Sequence, residues 1–95
     1  MRSGTFCHSR DVVWRRSLDA VLVLPAGAEE PVTLAGSGPE LWELLATPTS
    51  MADLASAIAE RYGVDAAVVA QDVDATLEHL LKLGVVEERP AEPAR

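Results

Sequence analysis

Residues 32–45 read Val32-Thr33-Leu34-Ala35-Gly36-Ser37-Gly38-Pro39-Glu40-Leu41-Trp42-Glu43-Leu44-Leu45, and the hydrophobic period changes inside them. Val32-Thr33-Leu34 is a short β-prone run behind Pro31. Within sheets, proline is confined to a strand's first residue, an edge or a bulge, so this run is expected to be an edge strand. After Ala35 the spacing turns helical, with Leu41, Trp42, Leu44 and Leu45 on one face. Ser37-Gly38-Pro39-Glu40 has the pattern of a capping box: serine at N-cap, proline in the first turn, glutamate at N3. Trp42 is expected in the core, and Thr47-Pro48 ends the helix.

Upstream of this switch the chain reads as strand. Asp11-Val12-Val13-Trp14-Arg15 is rich in β-branched and aromatic residues, and Arg16-Ser17-Leu18-Asp19 looks like a turn. Ala20 to Leu24 is wholly apolar, as expected of a central strand covered on both faces. Pro25–Glu30 is a loop. Downstream, Ser50-Met51-Ala52-Asp53 opens a helix that runs to about Tyr62, with Leu54, Ala55, Ile58 and Tyr62 as its face and Gly63 at its C′ position. Asp65 starts a third helix that ends at Gly84. Val69, Val73, Leu77, Leu80 and Leu81 give it a core stripe. Val85-Val86-Glu87-Glu88 reads as a last short strand.

Strands followed by helices predict an α+β domain, a three-stranded antiparallel sheet followed by three helices in a winged helix-turn-helix-like arrangement. The expected organisation is a flexible N-terminal extension over residues 1–8, a folded domain over residues 9–88 and a flexible tail over residues 89–95. With 95 residues, one domain is expected. The single cysteine, Cys7, allows no internal disulfide. No apolar run is long enough to span a membrane, and the first residues lack the apolar segment of a signal peptide, so a cytoplasmic protein is expected.

Charge argues against nucleic acid. Residues 1–16 carry four arginines against Asp11, or +3. Residues 17–95 carry four basic residues against fourteen acids, or −10, and the sum is −7. Such a surface repels phosphates that clustered Lys and Arg would neutralise.

The inventory for catalysis is thin. His8 lies near the N-terminus, and His79 has Ala75 at i−4 and Leu83 at i+4, so neither has a second ligand at helical spacing. Cys7-His8 offers two of the four ligands that a stable zinc site takes. Asp72 and Asp74 sit at i and i+2 of a helix and point to different sides. Gly36-Ser37-Gly38-Pro39 lacks both the lysine of a phosphate loop and the third glycine of a dinucleotide loop. No enzyme, metal or cofactor is expected.

An edge strand leaves N–H and C=O groups unpaired, and another chain can complete them. The third helix places Asp72, Thr76, His79 and Leu83 in a stripe beside its core stripe. Edge and stripe together suit a polar-rimmed peptide groove. The alternatives are a winged-helix DNA-binding regulator, which the acidic third helix disfavours, and a structural module that pairs its edge with another copy.

From about Ser9 to Glu88 the chain resembles the PqqD family, the RiPP recognition elements. The likeness lies in Asp11-Val12-Val13-Trp14-Arg15, Leu34-Ala35-Gly36-Ser37-Gly38, Leu41-Trp42-Glu43-Leu44-Leu45 and Asp53-Leu54-Ala55. It continues in Ala59-Glu60-Arg61-Tyr62-Gly63-Val64-Asp65, Asp72-Val73 and the Leu77, Leu80, Leu81, Gly84, Val85, Val86 series. The resemblance implies a non-catalytic peptide chaperone of natural-product biosynthesis. It would bind the leader segment of a ribosomally made precursor peptide and present it to a modifying enzyme, such as a radical-SAM enzyme or a lasso-type protease and cyclase. It further implies that the leader adds as a strand beside Val32, Thr33 and Leu34 and lies against Asp72, Thr76, His79 and Leu83. The Pro25–Glu30 link is looser than the tight turn of many relatives, and the segment before Ser9 has no counterpart among them.

Overall fold

Leu18 and Asp19 form a two-residue turn that joins Val13–Ser17 (β2) to Ala20–Leu24 (β3), and Leu18 takes a left-handed φ of 54° to do so. In the computed structural model, which describes residues 4–89, this hairpin is the middle of a longer sequence of elements. Thr5–His8 (β1) precedes it. Val32–Leu34 (β4), the helix Gly38–Leu44 (α1), Thr49–Ser50 (β5), the helices Met51–Tyr62 (α2) and Ala66–Leu83 (α3), and Val86–Arg89 (β6) follow. The protein is a small α+β domain with antiparallel sheets and three helices.

The strands do not all precede the helices. They build two three-stranded sheets, ordered β2-β3-β4 and β5-β1-β6. The expected single sheet is the first of these. The second is assembled from the start of the chain, the α1–α2 link and the strand after α3. The expected N-terminal extension therefore contains β1, whose Phe6 and Cys7 are buried. Two observations hold it there. β1 pairs along its length with β6, from Thr5↔Arg89 to His8↔Val86, and the His8 and Ser9 amides donate to the carbonyls of Leu45 (3.0 Å) and Val85 (2.9 Å). Most of the expected C-terminal tail, residues 90–95, lies outside the described residues.

Local chemistry explains the helix ends, with one departure. Ser50 caps α2 as expected, accepting from the Asp53 amide at 3.1 Å, and Gly63 ends it with a φ of 68°. Gly84 ends α3 in the same way, at φ 78°. At α1 the expected capping box does not form. Ser37 itself has helical φ and ψ of −83° and −6°, so its hydroxyl cannot reach back to the third amide. Glu40 turns instead to the exposed Tyr62 hydroxyl, which donates to it at 3.1 Å, and to Arg61 at 3.7 Å. Tyr62 is thus on the surface and not on the buried face of α2.

One core joins both sheets to the helices. Phe6, Val21, Val23, Leu34, Leu41, Trp42, Leu45, Leu54, Ile58, Val73, Leu77, Leu80 and Val85 are buried in a single cluster. Trp42 is fully enclosed, as its place in the helical pattern requires. The buried stripe of α3 is Val73, Leu77 and Leu80, with Val69 and Leu81 half-buried against the cluster. Gly38 opens α1 directly over β4: a Cβ there would stand 3.1 Å from that of Leu34. Only a glycine lets the helix seat this closely without a shift. β3 is the central strand but is not covered on both faces. Val21 and Val23 point into the core, while Ala20, Leu22 and Leu24 are only half-buried on the other side. No helix among the described residues is long and apolar enough to cross a membrane.

Candidate functional site

Among the described residues β4 is the terminal strand of its sheet, bonded to β3 on one side only. The two-residue turn at Leu18-Asp19 makes Ser17 and Ala20 a hydrogen-bonded pair, and such pairs alternate along an antiparallel ladder. Ala20, Leu22 and Leu24 therefore direct their backbone groups to β2, and Val21 and Val23 direct theirs to β4. Across the next ladder Val21 faces Leu34, Leu22 faces Thr33 and Val23 faces Val32. Val32 and Leu34 are thus bonded to β3, and the N–H and C=O of Thr33 are left on the open side. Pro31 and Ala35 have the same phase. Pro31 can offer only a carbonyl there, and the Ala35 carbonyl is taken by the Gly38 amide at 3.1 Å. The free edge therefore presents a short run of groups: the carbonyl of Pro31, both groups of Thr33 and the N–H of Ala35. Thr33 is exposed, Val32 half-buried and Leu34 buried.

The helical residues are placed on α3 at the spacing the sequence implies. Asp72 and His79 are exposed, and Thr76 and Leu83 are half-buried. They run alongside the buried Val73, Leu77 and Leu80. Val32 and Leu83 both pack against the core cluster, but α3 packs chiefly on α2 and β6 and β4 chiefly on β3, so strand and helix are not joined directly into one groove by their main contacts.

The sheet's other margin escaped sequence reasoning. β2 is exposed along its whole length, and the same alternation leaves the backbone of Trp14 and Arg16 outward. Its guards are charged and aromatic. Arg16 is paired with Glu43 of α1. Trp14 meets Trp42 edge-on with centroids 5.8 Å apart, and His8 completes the group. The His8 ring stacks on Trp42 at 3.8 Å and contacts Trp14 at 5.6 Å, while its Nε2–H donates to the Trp42 carbonyl at 2.7 Å. Burial pulls the His8 pKa below its ordinary 6.5, and the bond to that carbonyl opposes the shift. The signal for this cluster was the Cys7-His8 pair, which reads as a terminal dipeptide unless β1 is known to be a strand. Among the described residues no three His, Cys, Asp or Glu side chains gather where a metal could sit.

Fold and edge define a small α+β domain in which, among the described residues, β4 forms an unpaired margin of the hairpin sheet. Residues 20–86 match the family model described as coenzyme PQQ synthesis protein D (PqqD). The chain belongs to the PqqD family. Searches of curated proteins and of solved structures gave no match.

Proposed function

We propose that this chain is a non-catalytic accessory protein that binds the leader segment of a ribosomally made precursor peptide and hands it to a modifying enzyme. The observation that carries this reading is the open edge of β4, with both backbone groups of the exposed Thr33 turned outward. A strand added there gains main-chain hydrogen bonds with little demand on its sequence. Val32, Thr33 and Leu34 form the strand side of the site, and Asp72, Thr76, His79 and Leu83 supply the side chains that choose among peptides. Membership of the PqqD family supports the accessory role and a biosynthetic partner, of which a radical-SAM enzyme is the typical case. In this reading the helices with the β-hairpin amount to a winged-helix-like scaffold used for peptide and not for nucleic acid.

The short edge limits the site: an added strand bonds over about four or five residues before Pro31 and the turn at Gly36 end the ladder. Titration of the labelled chain with candidate leader peptides read from its neighbouring genes tests the proposal. The expected result is saturable heat together with shifts of the Thr33 and Ala35 amide signals. Heat without any shift at residues 31–35, or no heat, refutes it.

A further inference from the structure

Native sheets blunt their open margins with proline, charge or short length. β4 is three residues long behind Pro31, and β6 carries Glu87, Glu88 and Arg89. β2 has five exposed residues and no proline, with the backbone groups of Trp14 and Arg16 turned outward. Its guards are drawn inward to α1, where Trp14 meets Trp42 and Arg16 pairs with Glu43. Val13 and Arg15 have the opposite phase and stand on the outer face, across from Leu24 and Leu22. Val13 is 64% exposed and, with Leu22, Leu24 and Pro31, borders an open cavity of about 220 Å³. Some 150 Å³ is enough to hold benzene, so one branched apolar side chain fits. Among the described residues no ion pair engages Arg15.

We infer that β2 receives an antiparallel strand from an acidic partner segment, with a carboxylate opposite Arg15 and an apolar side chain two residues further on, opposite Val13. This margin lies across the sheet from β4 and is independent of it. Each part of the occupant is selected by a different feature. Outward N–H and C=O groups at alternate residues take an extended backbone. At Val13 and Arg15 an added strand makes non-hydrogen-bonded pairs, whose side chains stand closest. Opposite charges attract across such a pair and like charges repel, so Arg15 chooses a carboxylate. Residues 17–95 carry −10 and repel an acidic segment, whereas residues 1–16 carry +3. A copy of the chain paired here through its own β2 brings two arginines and no acid, whatever the register.

The probe is a capped six-residue peptide of threonines with glutamate in third place and isoleucine in fifth. It is titrated into the isotope-labelled full chain beside a control peptide with lysine for glutamate. The glutamate peptide should shift the Trp14 and Arg16 amide signals and bind about fivefold more tightly than the control. Arg15→Glu should reverse that order. If this variant fails to fold, judged by its thermal melt, the two peptides on the natural chain decide alone. Equal binding of the two peptides, or no shift at Trp14 and Arg16, overturns the inference. So do shifts confined to Thr33 and Ala35, which put the probe on β4. A dimer in sedimentation whose Trp14 and Arg16 amides are already protected from exchange overturns it as well, since a copy then fills the margin. Leader peptides that leave residues 31–35 unmoved sink the strand-addition reading at β4 and do not touch the result at β2.

Discussion

Phe6 offers the sharpest test of how this chain folds, because its position reads in the sequence as a loose extension and in the structure as core. Its side chain is 0% exposed and belongs to the same cluster as Trp42, Val85 and Val86. Truncating a buried phenylalanine costs about 3–5 kcal/mol. A domain of 95 residues has a total stability of about 5–14 kcal/mol at 0.05–0.15 kcal/mol per residue. Phe6→Ala should therefore remove about a fifth or more of the whole. With a urea slope of about 2 kcal/mol per molar, the unfolding midpoint falls by roughly 1.5–2.5 M. Tryptophan fluorescence follows the transition, since Trp42 passes from full burial to water. Val13→Ala, at an exposed site, is the control and should shift stability by less than about 0.5 kcal/mol. A Phe6→Ala midpoint no lower than that of the control would show that β1 contributes nothing to the core.

Three further outcomes are expected. Thr33→Pro deletes the one N–H that β4 turns to its open side, so leader affinity should drop about tenfold while the melting temperature barely moves. Thr33→Val keeps the N–H and should bind normally, and equal loss of binding and stability in the proline variant would mean that this N–H serves the fold. For His8 the folded pKa lies below the ordinary 6.5, so the unfolded chain takes up the proton first. The stability due to neutral His8 is complete above about pH 6.5 and declines as pH falls from there through the folded value; urea midpoints at neutral and mildly acidic pH should differ, and His8→Gln should narrow the gap. An undiminished gap would assign it to other groups. Leu18→Asn relieves a β-hairpin turn residue that is 93% exposed at positive φ, and should stabilise the chain by about 1 kcal/mol, read as a higher melting temperature.

Elements whose pattern is local were legible in the sequence. The Ser50 cap, the glycines at 63 and 84 and the Val73-Leu77-Leu80 stripe each announce themselves within a turn or two of chain, and the structure has them. The edge character of Val32–Leu34 was legible because proline lacks the N–H that an inner strand would need. β1 and β5 were not legible, because their pairing partners are distant or only two residues long. Thr5–His8 buries adjacent residues instead of alternating ones, which erases the period-two signal. The Ser37 cap failed for another reason: the turn at Gly36 delivers the chain already in helical conformation, a geometry that residue types alone do not specify. The apolar run of β3 was read as a strand covered on both faces, but the structure covers only the side of Val21 and Val23, because residue types alone do not say which face other elements reach.

β1 is the middle strand of its sheet and bonds mainly to β6, so Phe6 finds its cross-strand neighbour Glu88 more than eighty positions later. A ribosome must add more than eighty residues after Phe6 before that pairing becomes available. Until then the first strand can join only the two-residue β5, at Thr49 and Ser50, and lacks its longer ladder. Contacts so remote slow the search for the native state, and they make a strand formed late in synthesis the one that locks a strand formed early.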